Sequence, residues 1–429
     1  MEKQNVLIVG GGYVGLPLAV EAGLAGVYSV KVLDNDEEKV KKINSGVSYI
    51  EDVQEASLLE SDIVATTDKT IAGDADVVVI CVPTPLRKTK DPDISYVVNA
   101  AREVAENLDL ERGSMGPREV LIILESTVYP GFTREVLVSI FEDAGCPVSD
   151  RGPLHIAFSP ERVDPGNSTY CTHNTPRVVG GVTDTCRDKA ISFYRSFLSA
   201  EIVPMSSCDA AEMVKLLENS FRAVNIGMAN ELALICSRLG LSTREIVDGA
   251  KTKPFGFMPF YPGPGLGGHC IPVDPLYLSW KMKGKGYRTR FIDVADEINT
   301  RMPEYVVDLV SRALNSIDRA IRHSYIFVYG VAYKENTSDV RESPALLIME
   351  ELTRRGAYLR YIDPFVPKLR MLDGTELESV EHKGSSDCGL ILAAHRGLPV
   401  PKEVLSRNRV VVDTRGYIPL ALSAAVYRL

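Results

Sequence analysis

Long apolar runs are missing from this 429-residue chain: none approaches the roughly 20 consecutive residues that cross a bilayer, so no membrane span is expected. The first residues, MEKQNVLIVG, show neither a charged-then-apolar leader nor a small-residue cleavage site, which excludes a secretory signal and leads us to expect a cytoplasmic chain. Paired cysteines are missing too. Eight are scattered along the sequence with no CxxC spacing, against a disulfide framework and against a structural zinc site, so reduced thiols and no metal are expected. An excess of basic charge is also lacking. With a net charge of −9 the chain carries no footprint for nucleic acid, and an anionic ligand, if there is one, is expected to be small. Low-complexity tracts and short-period repeats are absent.

What is present is an ordinary globular composition, 45% apolar and 24% charged, in a chain long enough for two or three domains. A short aliphatic run at residues 6–9 precedes Gly10, Gly12 and Gly15 in GxGxxG spacing, and residues 16–24 continue as an apolar helix. The first glycine permits a tight turn, the second lets a pyrophosphate approach the backbone, and the third lets helix pack on strand, with the phosphate on the helix N-terminus. A second strand at 29–33 ends at Asp34, about 20 residues on, where a carboxylate accepts from both ribose hydroxyls. Asp34 repels a 2′-phosphate and no arginine lies beside it, so NAD is favoured over NADP.

Strand and helix patterns then alternate. A buried strand is expected at 76–82, stopped by Pro83-Thr84-Pro85; a helix at 96–108; a strand at 120–124 running into Glu125-Ser126-Thr127; a helix at 133–144; and a strand at 155–158 running into Ser159-Pro160-Glu161-Arg162. Ligands of such sheets bind beyond the carboxyl ends of strands, so Thr84, Thr127 and Glu161 are candidate site residues; helix capping is the alternative for the two threonines. The longest helix is expected over 209–239, with Asp209 as N-cap and Gly240 as stop. Its apolar stripe would contain Met213, Leu216, Leu217, Ser220, Val224, Met228 and Leu232, with Lys215, Asn219 and Arg222 on a separate polar face. Lys215 and Asn219, at i and i+4, are spaced to reach one ligand, although an ordinary surface charge remains the alternative for Lys215.

The stretch GPGLGGHCIPVDP, residues 263–275, sets Cys270 among glycines and prolines, which clear space around the thiol and stiffen its loop. Most unpaired cysteines are core filling. Here, between two nucleotide-binding halves, we read Cys270 as a nucleophile, with Asp274 close behind it. A helix follows at 293–312. After a change of composition at 315–323 come a strand at 324–331, the turn Ala332-Tyr333-Lys334, a loop with Asp339 and Arg341, a helix opened by Pro344, and strands at 358–362, 390–394 and 410–413. The expected fold is α/β: two Rossmann-like doubly wound domains joined by a long central helix and a helical middle domain, with boundaries 1–207, 208–315 and 316–429.

GxGxxG with Asp34, PTP at 83–85, ESTVYPG at 125–131, SPERVDPG at 159–166, EMVKLLENSFRAVNIGMANELA, GGHCIPVDP and GVAYKENTSDVRESPA together resemble the nucleotide-sugar 6-dehydrogenases, the UDP-glucose and UDP-acetamido-sugar dehydrogenase family. The resemblance spans nearly the whole chain. UDP-glucose enzymes typically read GGSCFPKD at the nucleophile; His269 and Val273 here resemble the acetamido-sugar branch, and GPGLGGHCIPVDPLYLSW is most similar to the enzymes acting on UDP-N-acetylglucosamine. Enzymes acting on UDP-N-acetylmannosamine more often read GGHCIAVDP. One departure is Ala393-Ala394-His395, where relatives often have Thr-Asp-His.

The resemblance implies oxidation of a sugar C6 alcohol to a carboxylate with two NAD per turnover, through a Cys270 thiohemiacetal and thioester. It implies that Asp274 and Thr127 position or activate water, that Glu161 assists near the sugar, and that Lys215 and Asn219 stabilise an oxyanion. For NAD it assigns Gly10, Gly12, Tyr13, Val14, Gly15, Asp34, Lys39, Thr84, Thr127 and Arg341. For the UDP-sugar it assigns Phe158, Ser159, Pro160, Glu161, Lys215, Asn219, Phe260, Tyr261, Gly263, Gly265 and Lys334. It further implies a homodimer or dimer of dimers built on the long helix. Two other classes are weighed against it: a two-electron hydroxyacid-type dehydrogenase, which needs neither Cys270 nor a second nucleotide-type domain, and a non-catalytic nucleotide-sugar sensor, which needs none of the reactive side chains.

Overall fold

The aliphatic run that opens the sequence forms the centre of β1 (Gln4–Val9) in the computed structural model, which describes residues 3–50, 52–87, 89–111, 118–150, 152–164, 167, 169–268, 270–422 and 425–429. The chain divides into two units by compactness. One comprises residues 1–218 and 276–287, the other residues 219–275 and 288–429, so the expected central segment is shared between them.

In the first unit, β1 is joined by β2 (Tyr28–Leu33), β3 (Val64–Thr66), β4 (Val77–Ile80), β5 (Val120–Leu124), β6 (Leu154–Phe158), β7 (Arg177–Gly181) and β8 (Ile202–Pro204), in the order β3-β2-β1-β4-β5-β6-β7-β8. Strands β1 to β6 pair in parallel and give the doubly wound order 3-2-1-4-5-6, while β7 runs antiparallel to β6. The sequences VVVI and VLIIL explain the central position of β4 and β5: every residue is buried, as a strand covered on both faces requires. The strand expected at 76–82 is shorter than that. Asp76 stands outside it, accepting from Asn5 N at 2.8 Å and from Arg118 Nε at 2.9 Å.

The long helix is Cys208–Leu239. Asp209 is not its N-cap; it sits in the first turn, and Ser207 Oγ accepts from Ala210 N at 3.1 Å instead. At the far end Gly240 takes φ +69°, the left-handed stop that the sequence suggests. The faces are not divided as expected. Leu217 and Met228 are 59% and 69% exposed, whereas Lys215 and Asn219 are 6% and 9% exposed. The helix is apolar around much of its girth, so periodicity alone does not select the buried side.

In the second unit, β9 (Tyr325–Tyr329), β10 (Tyr358–Ile362), β13 (Ser386–Ile391), β14 (Asn408–Asp413) and β15 (Val426–Arg428) form a parallel sheet in the order β10-β9-β13-β14-β15; β11 (Lys368–Arg370) and β12 (Glu376–Glu378) make a separate antiparallel hairpin. This is the 2-1-3-4-5 doubly wound order, whose switch point lies between β9 and β13. Helices Arg290–Asn315 and Pro344–Arg354 pack Val306, Val310, Ile348, Met349 and Leu352 into one core with Ile326, Val328 and Leu390. The strand expected at 390–394 begins and ends earlier, at Ser386 and Ile391. Its polar entry is paired rather than solvated: Asp387 accepts from Tyr325 N at 3.0 Å, and Leu392 and Ala393, after Ile391, are buried loop.

Candidate active site

In the first unit the three fingerprint glycines have three different surroundings. Gly10 has φ +102°, and a Cβ there would meet Cys81 O at 2.7 Å; a Cβ on Gly15 would meet Gly10 O at 1.9 Å. A Cβ on Gly12 would meet nothing within 4 Å. The first and third glycines are therefore demanded by the fold, and the second leaves an open cradle in front of a helix, Gly15–Leu24, whose N-terminus has no side-chain cap. That is the fit an anionic pyrophosphate requires. Val14 packs on the core, and Tyr13 is nearly half exposed at the turn.

At the end of β2, Asp34 Oδ2 accepts from Gly11 N at 2.8 Å, Oδ1 accepts from Asp36 N at 2.9 Å, and Lys39 Nζ lies 3.5 Å from Oδ2. The carboxylate keeps lone pairs for ribose hydroxyls beside a cation. Tyr49, which sequence reading passed over, donates from its hydroxyl to Gly11 O, and burial together with Asp34 and Asp36 pushes its pKa up.

Neither threonine caps a helix: the helices that follow Thr84 and Thr127 have Ile94 and Phe132 at their N-caps. Both are half-buried after the carboxyl ends of β4 and β5, and Ser126 Oγ ties these ends together through Val82 O at 2.7 Å. Tyr277 Oη donates to Thr84 O at 3.0 Å. Below them, Glu125 is fully buried, accepting from Arg177 Nη1 at 2.7 Å and Tyr194 Oη at 2.5 Å, and burial raises its pKa against the pull of Arg177.

At the end of β6, Phe158 and the following Ser159 are wholly buried, so neither presents surface to a ligand. Ser159 Oγ has no partner among the described residues. Glu161 Oε2 lies 3.7 Å from Lys215 Nζ, with the side chains 17% and 8% exposed, so Lys215 is not a surface charge. One turn earlier on the same helix, Glu212 was not anticipated. Its carboxylate accepts from Gly131 N at 2.6 Å and Thr133 N at 2.9 Å, taking up two donors of the turn that follows Thr127. Burial raises its pKa and those bonds draw it back.

The second unit carries the other candidates. Asn219 Nδ2 donates to Asp274 Oδ2 at 2.5 Å, Asp274 N donates to Cys270 O at 2.8 Å, and Cys270 is half-buried in the glycine loop. Lys215 and Asn219 thus have different acidic partners, Glu161 for one and Asp274 for the other. His269, which with Val273 carries the resemblance to the acetamido-sugar branch, and Pro165 and Gly166 of the SPERVDPG motif lie outside the described residues.

The loop before Cys270 is held by an amide relay that sequence reading missed. Gly263 N donates to Asn230 Oδ1 at 2.9 Å, Asn230 Nδ2 to Asn299 Oδ1 at 2.8 Å, and Asn299 Nδ2 to Ala223 O at 3.1 Å, all buried. Spacing between distant helices offers no signal for such a chain. Gly265 has φ +135°, and Cβ groups on Gly267 and Gly268 would run into Tyr333 at 2.6 and 2.8 Å. Phe260 meets Phe221 edge-on at 6.0 Å, and Tyr261 Oη donates to Asp248 at 2.6 Å.

Lys334 is half-buried in the loop after β9. Arg341 is exposed and forked on Asp339, Nε to Oδ1 at 2.8 Å and Nη2 to Oδ2 at 2.6 Å. Arg415, in the loop after β14, donates from Nε to Leu392 O at 2.8 Å; its Nη1 lies 2.7 Å from where a Gly263 Cβ would stand, and burial lowers its pKa. Its position after a strand end, in Asp413-Thr414-Arg415, was the available signal. Among the described residues no cluster of metal ligands occurs, and no helix is long and apolar enough to cross a membrane.

Residues 4–198 match the NAD binding domain of the UDP-glucose/GDP-mannose dehydrogenase family, residues 209–301 its central domain, and residues 327–419 its UDP binding domain. The chain is 37% identical to a UDP-N-acetyl-D-mannosamine dehydrogenase of Pyrococcus horikoshii over 84% of each sequence. It is 33% identical to a UDP-N-acetyl-D-glucosamine 6-dehydrogenase of Pseudomonas aeruginosa over 85% of this chain and 84% of that one. Among solved structures, it resembles the UDP-D-ManNAc dehydrogenase from Pyrococcus horikoshii, with a TM-score of 0.88 at 32% identity over 99% of both chains.

Proposed function

The chain belongs to the UDP-glucose/GDP-mannose dehydrogenase family, and from that premise we propose that it oxidises the C6 alcohol of a UDP-acetamido-sugar, UDP-N-acetylglucosamine foremost, to the uronate. Its cofactor is NAD, which when bound accepts hydride. The observation that carries the reading is the Asn219–Asp274–Cys270 arrangement, an amide on a carboxylate whose own N–H is bonded to the carbonyl of the nucleophile.

Loss of hydride and a proton from the alcohol leaves an aldehyde, which has no hydride to surrender until it becomes tetrahedral. The Cys270 thiolate adds to it, the thiohemiacetal loses a second hydride to become a thioester, and water releases the acid and the thiol. Asp274, pinned by Asn219, serves as the base for that water, and Thr127 and Glu161 orient it. The Lys215 ammonium and the Asn219 amide stabilise oxyanions. Gly10, Gly12, Gly15, Asp34 and Lys39 hold the dinucleotide, with Tyr13, Val14, Thr84 and Arg341; Lys334 and the loop from Phe260 to Gly265 serve the UDP-sugar.

UDP-N-acetylmannosamine is the second reading, favoured by the 37% identical relative of that name. A homodimer or dimer of dimers fits the apolar residues that the long helix leaves exposed, Leu217, Phe221, Met228, Ile235 and Leu239. A cytoplasmic location fits eight cysteines that form no disulfide among the described residues.

The test is NADH formed per sugar consumed, with product mass, on UDP-N-acetylglucosamine, UDP-N-acetylmannosamine, UDP-N-acetylgalactosamine and UDP-glucose. Two NADH and an acid from the first are expected. One NADH with an aldehyde or ketone points to a two-electron dehydrogenase, and no turnover on any of the four to a sensor. In Cys270→Ser the acid should not form, because an alkoxy ester replaces the thioester; a normal uronate yield would exclude the mechanism.

A further inference from the structure

One cavity in the second unit is not used by this reading. It has a volume of about 770 Å³ and lies at the amino ends of β9, β10 and β13, whereas ligands of a doubly wound sheet bind beyond the carboxyl ends, where Lys334 and Arg415 are found. Its size is within the range of about 300–1,000 Å³ that small-molecule sites occupy.

Three features of its wall point the same way. Strand β10 pairs with β9 in the register Tyr358↔Tyr325 and Arg360↔Phe327, so these four side chains share one face of the sheet. There the Tyr325 and Tyr358 rings stack at 5.1 Å and 30°, and both are more than half exposed. Next to them Arg360 is exposed and forms no ion pair or hydrogen bond among the described residues. The other cations of the wall are committed: Arg354 to Glu351 at 2.7 Å and Lys383 to Glu381 at 3.4 Å.

The third feature is His382, only 3% exposed and stacked on Phe327 at 3.9 Å and 10°. Tyr329 Oη accepts from Asn408 Nδ2 at 2.9 Å, so its own proton goes to His382 Nδ1 at 2.6 Å. The ring's proton is therefore on Nε2, and no described residue accepts it. Burial and Arg407 lower the His382 pKa to about 4, which keeps the ring neutral and Nε2–H a single donor. This N–H is in the wall of a cavity, open to it and with no acceptor among the described residues, so it is available to an acceptor on a ligand.

We propose that this cavity binds a small anion carrying a planar ring, an aryl carboxylate or aryl phosphate, with its ring on the Tyr325–Tyr358 stack and its oxygens on Arg360 and His382 Nε2–H. An arginine fork and an imidazole N–H suit either anion, and the tyrosine pair supplies the flat apolar platform. The carboxylates of Glu350 and Asp373 also line the cavity, on the helix Pro344–Arg354 and on the turn between β11 and β12, which disfavours a second anionic group on the ligand. The inference does not depend on which sugar the enzyme oxidises.

Equilibrium dialysis of the full chain against 4-nitrophenyl phosphate and 4-nitrobenzoate tests it, with inorganic phosphate and 4-nitrobenzyl alcohol as the two halves. At least one aryl anion should bind saturably, about tenfold or more tighter than either half, and Arg360→Ala should weaken it about tenfold. His382→Phe, which keeps the stack on Phe327 and removes the Nε2–H, should weaken it as well. The proposal is overturned by absence of saturable binding, by equal affinity for a half, or by aryl-anion binding that Arg360→Ala leaves unchanged, as it would if the probe entered only the nucleotide sites. Arg360 supports no other residue, so that variant remains decisive even where His382→Phe fails to fold.

Discussion

The ammonium of Lys215 stands 3.7 Å from the carboxylate of Glu161, both largely withdrawn from solvent, so the residue that looks like a surface lysine in the sequence is the counter-charge of a strand-end acid. A carboxylate in such a place needs a cation, and an ammonium has three donors, enough to hold Glu161 and still reach an oxyanion. Lys215→Ala should lower kcat about 10²–10³-fold and should also lower Tm, because Glu161 is left uncompensated. Adding Glu161→Gln should restore Tm, which would show that the loss of stability comes from the unpaired charge. A kcat for Lys215→Ala within about tenfold of wild type would remove Lys215 from the catalytic set.

The glycine turn makes a prediction in which position decides between stability and affinity. Gly12→Ala should melt with the wild-type protein, since its Cβ meets nothing within 4 Å, yet NAD affinity should fall about tenfold or more because the cradle is filled. Gly15→Ala should be destabilised by about 1–3 kcal/mol or more, since its Cβ would lie 1.9 Å from Gly10 O. Thermal melts and NAD titrations of the two variants check this. Equal loss of Tm in both would contradict the assignment of distinct roles.

Sequence alone made the two sheets legible because their central strands are continuous aliphatic runs, and it marked the glycine turn and the Cys270 loop because both depend on backbone shape that few other residues permit. It did not orient the long helix. Leu216 is buried and Leu217 exposed, and only the surrounding elements decide which of two adjacent leucines faces in. The start of β13 was lost for a related reason, since Ser386 and Asp387 look solvated until Asp387 is seen to accept from Tyr325 N. Glu212, Tyr49 and the Asn230–Asn299 relay act through partners distant in the chain, and local spacing contains no trace of them.

Glu212 should behave as a positioning residue. Its two oxygens each accept a backbone N–H, from Gly131 and Thr133, and an amide offers only one accepting oxygen. Glu212→Gln should therefore leave a buried N–H unsatisfied, costing about 1–3 kcal/mol of stability. The KM for NAD should rise more than kcat falls, because the turn carrying Thr127 is displaced while Lys215 is not. Unchanged NAD kinetics in a destabilised variant would reduce Glu212 to a purely structural role.

His382 sets a pH dependence of stability whose sign is fixed by the direction of its shift. Its pKa in the folded chain is lowered from 6.5 to about 4 by burial and by Arg407, so the folded chain holds the ring neutral where the unfolded chain protonates it. The stability this contributes is present in full above about pH 6.5 and is lost as pH falls toward 4, where the folded ring also takes up its proton. Discounted for the solvent that reaches the ring through the cavity, the loss is on the order of 1–2 kcal/mol across that window. Other groups titrate there as well, so the measurement is a difference: urea unfolding of wild type and His382→Gln at pH 7.5, 6, 5 and 4. Wild type should lose stability relative to the variant at each step down. Parallel curves for the two proteins would mean that His382 is protonated equally in both states.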